Sequence, residues 1–138
     1  MDIRTVGVIG AGTMGNGIAQ TFAVGGYDVV MSDVKEEFAK RGLETIRKSL
    51  DRLVSREKMG APDRDAALSR IATTTTMDAF AESDLIVEAA LEKVELKQKL
   101  FADLDKICKQ DAILTSNTSS ISLTKLAAAT KRPGQVIG

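Results

Sequence analysis

Apolar residues fall in short β-branched runs, separated by longer stretches where they recur every three or four positions. Val6–Ile9 is the first run, a predicted buried strand that ends directly in glycines. Beyond them, Ile18, Ala19, Phe22 and Ala23 form a helical stripe that Gly25-Gly26 stops. Tyr27–Met31 predicts a second strand. Glu36 to about Arg56 predicts a long amphipathic helix carrying Phe38, Leu43, Ile46, Leu50 and Leu53. Gly60-Ala61-Pro62-Asp63 interrupts the pattern, and Pro62 suits the first turn of a short helix through Leu68. Ile71–Thr75 predicts an edge strand, Met77–Ala81 a short helical turn and Leu85–Val87 a buried strand. Leu96, Leu100, Leu104 and Ile107 stripe the next helix. Ile113–Thr115 predicts a fifth strand, Leu123–Ala129 a helix, and Val136-Ile137 the start of another element.

Strands alternating with helices predict an α/β domain over residues 1–138, a doubly wound, mostly parallel sheet covered on both faces. With 138 residues, 43% hydrophobic and 28% charged, the chain is large enough to bury a core. Its 19 basic and 19 acidic residues cancel, leaving no overall field for nucleic acid or an anionic membrane. Phosphate recognition must therefore be local. No basic-then-apolar leader opens the chain, and no apolar run nears the ~18 residues of a membrane span. A lone cysteine, Cys108, excludes an internal disulfide, supplies no metal set and points to a reducing cytoplasm. There is no histidine, the side chain best suited to proton transfer near neutral pH.

Gly10-Ala11-Gly12-Thr13-Met14-Gly15 has the G-x-G-x-x-G spacing between a predicted strand and a predicted helix. In that context Gly10 permits the tight turn, Gly12 the approach of a pyrophosphate, and Gly15 close helix–strand packing. Gly17 is expected to add room for the same packing. Phosphates would sit on the helix's first amides, where the dipole favours negative charge. Asp33 ends the second strand, where a carboxylate accepts hydrogen bonds from adenosine ribose hydroxyls and repels a 2′-phosphate. A Rossmann site for NAD in preference to NADP is expected, with Lys35 softening the repulsion.

The segments VGVIGAGTMGNGIAQTFA, LIVEAALEKVELKQKLFADLD and ILTSNTSSISLTKLAAATKRPGQVIG resemble the 3-hydroxyacyl-CoA dehydrogenase family, especially its bacterial 3-hydroxybutyryl-CoA branch. The likeness covers essentially the whole chain. It implies a hydride transfer between NAD(H) and C3 of a short-chain acyl-CoA. It also implies a C-terminal helical domain, outside these residues, that binds substrate and forms a homodimer. By the same resemblance, Ser119 contacts the substrate's 3-oxygen and the nicotinamide region, and Asn117 lies near the nicotinamide ribose. Read from residue type alone, this serine-rich stretch is a turn in which Ser119 or Ser122 caps a helix beginning near Leu123, with capping the better account of Ser122 than of Ser119. The resemblance puts Glu92 and Lys97 at the cofactor, whereas residue type alone makes them solvated charges at a helix start. Glu88 is a weaker candidate for the same crevice. Ser49, Arg52 and Arg56 resemble the family's CoA contacts, with Arg52 and Arg56 one helical turn apart. Without that resemblance they read as a solvated basic face.

The family's general acid/base is a histidine that follows a VIG-like strand, and here the sequence reaches Val136-Ile137-Gly138 with none. The chain alone is therefore expected to turn over very slowly. Its surface toward the helical domain is expected to be apolar and prone to association. Two alternatives are a related β-hydroxyacid dehydrogenase and a non-catalytic NAD-binding sensor or structural module. The absence of a DNA-binding helix pattern argues against a sensor.

Overall fold

The computed structural model describes residues 2–89, 93–116 and 120–138, with Ser120 and Ile121 described by backbone alone. Among them, β1 (Thr5–Ile9) is flanked by β2 (Asp28–Ser32) and β4 (Leu85–Glu88). The sheet is completed by β3 (Ile71–Thr74), β5 (Ile113–Ser116) and β6 (Val136–Ile137), in the order β3-β2-β1-β4-β5-β6. Every neighbouring pair is parallel. Ile9 stands opposite Ser32 on one side and Glu88 on the other, and Glu88 stands opposite Ser116. Four carboxyl-terminal strand ends are thus level. The order reverses between β1 and β4, the place where open α/β sheets bind ligands.

Alternation along the strands sends successive side chains to opposite faces. Val6, Val8, Val29 and Met31 point to one face, where α1 (Thr13–Val24), α2 (Glu36–Ser55) and α3 (Ala61–Ser69) cover them with Ala19, Ala23, Ile46, Leu50 and Ala67. Ile9, Ile86 and Leu114 point to the other face. There they meet Phe80, Phe101, Leu104 and Leu126 from a 3-10 turn (Met77–Phe80), α4 (Val94–Ile107) and α5 (Ser120–Ala128). This is the doubly wound architecture expected from the apolar pattern.

Three local expectations change. The buried stripe of α4 is Lys97, Phe101 and Leu104, continuing to Cys108, while Leu96 is 49% exposed. The helix is turned by about one residue from the leucine stripe, because a charged position faces inward. α5 begins at Ser120, so Ser122 lies inside the helix and does not cap it. Gly17 is exposed with open space beside it and contributes nothing to helix packing.

Two helix ends have specific fastenings. α2 starts with Glu36 and Glu37 and has Arg52 in its last turn, which complements its dipole. It closes with the Glu57 N–H donating to the Val54 carbonyl and the Lys58 N–H to that of Leu53. Glu57 takes the left-handed position (φ 57°) that glycine usually fills in such a closure. At the end of α4, the Arg132 guanidinium donates to the backbone carbonyls of Asp105, Cys108, Lys109 and Ala112, and to the Asp105 carboxylate at 2.6 Å. One side chain therefore satisfies several carbonyls that the helix leaves unpaired.

Candidate functional site

β1 runs into the glycine turn at the reversal point. Gly10 has φ +105°, a conformation L side chains rarely adopt, and its N–H donates to the Ser32 carbonyl at 2.8 Å. That bond ties the turn to the end of β2. At Gly15 a Cβ would lie 1.7 Å from the Gly10 carbonyl oxygen, so only glycine lets α1 start so close to the strand. Gly12, the N-cap, has open space where a side chain would stand and makes no side-chain cap bond. A close backbone start, an open cap and a helix dipole behind it form a cradle suited to a pyrophosphate.

Asp33 is fastened to this turn. One carboxylate oxygen accepts the Ala11 N–H at 3.0 Å and the other accepts the Val34 N–H at 2.7 Å. Each oxygen retains a lone pair for a ribose hydroxyl. Two cavities meet at Asp33. One, about 240 Å³, is mainly apolar and lined by Ile9, Gly10, Val34, Met77 and Leu100. The other, about 290 Å³, has a more polar wall that includes Gly12, Thr13, Asn16, Arg41 and Thr45. The apolar cavity suits a flat base, with its ribose against Asp33. These residues fit an adenosine diphosphate unit.

The sequence reading missed Gly42 and Arg41. A Cβ on Gly42 would lie 2.6 Å from the Ala11 carbonyl oxygen, so α2 rests directly against the turn. A glycine inside a helical pattern is a visible trace of such a contact. Lys35 and Arg41 each lie 5.6 Å from the centre of the Phe38 ring, which gathers two cations near Asp33.

On the far side of the reversal, Glu88 is 1% exposed, Lys97 5% and Ser116 2%. The Lys97 Nζ lies 3.0 Å from Glu88 Oε1 and donates to Ser116 Oγ at 3.3 Å. The Ser116 hydroxyl donates to the same Glu88 oxygen at 2.7 Å. Lys97 is therefore not the solvated helix-start charge that its residue type suggests. Burial of both charges explains why its partners come from two strand ends.

Ser49, Arg52 and Arg56 lie on the last half of α2 and at its C-cap, beyond Thr45 of the polar cavity. Ser49 is half-buried and both arginines are exposed. The Arg56 N–H donates to the Arg52 carbonyl at 3.0 Å, which puts them one turn apart. Among the described residues neither guanidinium pairs with a carboxylate. Glu92, Asn117 and Ser119 lie outside the described residues. The described residues contain no cluster of metal-ligating side chains, and no helix among them is long and apolar enough to cross a membrane.

Residues 5–138 match the family model described as 3-hydroxyacyl-CoA dehydrogenase, NAD binding domain. A 3-hydroxybutyryl-CoA dehydrogenase of Bradyrhizobium diazoefficiens is 48% identical over 136 residues, which is 99% of this chain and 46% of the relative. A probable 3-hydroxybutyryl-CoA dehydrogenase of Deinococcus radiodurans is 50% identical over 96% of this chain and 47% of its own length. The crystal structure of (S)-3-hydroxybutyryl-CoA dehydrogenase from Ralstonia eutropha superposes with a TM-score of 0.92 at 47% identity. It covers 98% of this chain and 48% of that one. The chain thus spans about half the length of these relatives.

Proposed function

Because the chain belongs to the 3-hydroxyacyl-CoA dehydrogenase family, as its NAD-binding domain, we propose that it is the cofactor half of an NAD-dependent oxidoreductase acting on short-chain acyl-CoA. The reaction is hydride transfer between NAD(H) and C3 of a 3-hydroxyacyl-CoA or 3-oxoacyl-CoA, with 3-hydroxybutyryl-CoA and acetoacetyl-CoA as the substrate pair. NAD supplies the hydride or accepts it. The chain's own residues bind and orient the cofactor. Gly10 to Gly15, through Ala11, Gly12, Thr13 and Met14, carry the pyrophosphate, and Asp33 takes the adenosine ribose. Glu92, Lys97 and Asn117 serve the nicotinamide half. The Ser119 hydroxyl donates to the substrate's 3-oxygen and stabilises the charge that develops there. Ser49, Arg52 and Arg56 take the CoA end. The full-length protein is a homodimer of the reducing cytoplasm, joined through a helical domain outside these 138 residues.

The observation that carries this reading is the Asp33 carboxylate hydrogen-bonded to the glycine turn at the end of β2. Calorimetric titration of the chain tests it. Saturable NADH binding is expected, with NADPH at least about tenfold weaker because its 2′-phosphate meets the carboxylate. Asp33→Asn should narrow that gap. Absence of NADH binding at millimolar concentration, or equal affinity for both cofactors, would count against the assignment.

A further inference from the structure

A buried ion pair is expensive to desolvate, and one at a ligand crevice calls for a reason beyond stability. Glu88 and Lys97 form such a pair at the carboxyl ends of β4 and β5, bridged by the Ser116 hydroxyl. Asp33 marks the adenosine end of the site at β2. A dinucleotide laid across the reversal point must extend from there over β1 toward β4 and β5. Its nicotinamide half then lies on the side of this pair. The nicotinamide ring carries a positive charge in NAD⁺ and none in NADH. A buried ammonium without its carboxylate would repel the oxidised ring and leave the reduced one unaffected.

We propose that Glu88 is a positioning residue which, with Ser116, holds the Lys97 ammonium and cancels its charge, thereby setting how evenly the site binds NAD⁺ and NADH. This rests on the NAD-binding reading and adds to it a determinant of the preferred redox state. Two of the three ammonium protons are committed to Glu88 and Ser116.

The test compares NAD⁺, NADH and ADP-ribose, which lacks the nicotinamide ring, by calorimetric titration of the chain near neutral pH. Glu88→Gln keeps the shape and removes the compensating charge. It should raise the ratio Kd(NAD⁺)/Kd(NADH) about tenfold, the scale of one charge acting across a partly dry site. Lys97→Met leaves the carboxylate uncompensated and should lower the ratio several-fold. The double variant should return it to within about twofold of the starting value. ADP-ribose reports whatever a variant changes at the riboses and pyrophosphate, and NADH should follow it within about twofold while NAD⁺ departs from both. If Glu88→Gln fails to fold, Lys97→Met carries the same test with opposite sign. An unmoved ratio in the folded single variants, or NAD⁺ affinity changing in step with ADP-ribose, overturns the proposal alone. Loss of all binding by the unaltered chain overturns it together with the NAD reading.

Discussion

Asp84 holds the amino end of the sheet, opposite the ligand crevice. One of its oxygens accepts the N–H groups of Arg4 and Thr5 at 2.8 and 3.0 Å, while the other pairs with Lys109. The Lys109 hydrogen bond, followed by the Arg4 amide, holds its carboxyl down at about 2 from the ordinary 3.8, against the pull of burial. Burial also works to raise Asp105, yet the Lys131 N–H and the Arg132 guanidinium bring it below the usual value. A depressed folded-state pKa gives stability that is fully present above the unfolded value and lost as pH falls through the folded one. Melting temperature should therefore decline from about pH 4 toward pH 2. Asp84→Asn should lower it at neutral pH and flatten that decline. An unchanged acid limb in the variant would remove Asp84 from the account. At this scale the sequence is uneven. Asp33 is legible because its type and its place after a strand have a known use. The burial and pairing of Lys97 are not, because its partners Glu88 and Ser116 are brought together only by pairing of strands 28 residues apart.

Element types follow the apolar periodicity closely, and their faces less so. α4 is the clearest case: of the stripe its leucines suggest only Leu104 is buried, and Lys97 and Phe101 take the other inward positions. Periodicity counts apolar residues and is blind to a charge with a partner waiting inside. The fastening of α4 at its other end is equally hidden, since Arg132 reads as one more surface cation after a helix. In the structure it is 9% exposed and bound to backbone carbonyls along the end of α4. Arg132→Met would take this donor from the Asp105 and Cys108 carbonyls and leave the Asp105 carboxylate with only the Lys131 N–H, at a cost of about 3–5 kcal/mol. Urea unfolding measures this, and a loss below about 1 kcal/mol would mean that water replaces the guanidinium without penalty. Arg132→Lys should recover little, because a single ammonium lacks the planar fork that reaches several acceptors.

For the molecule as a whole, the parallel sheet and the covering of both its faces were readable from the alternation of elements, while the order of the strands comes from the structure. The absence of histidine is a property of the whole chain too. Acetoacetyl-CoA reduction by the 138-residue chain, followed by NADH absorbance, should run at least about 10²-fold below a full-length relative, the scale of lost general acid/base assistance. Comparable turnover would show that another group moves the proton. The core itself divides along the chain. Every fully buried residue of the first face lies at or before Ile71, and most of the second face comes from Phe80 onward. During synthesis, the emerging first half already holds β1, β2, β3 and the helices that cover them. It can close one side of the sheet while the ribosome is still making β4. The glycine turn and Asp33 belong to that half, so their hydrogen-bonded cradle can take shape before the buried Glu88–Lys97 pair has been translated.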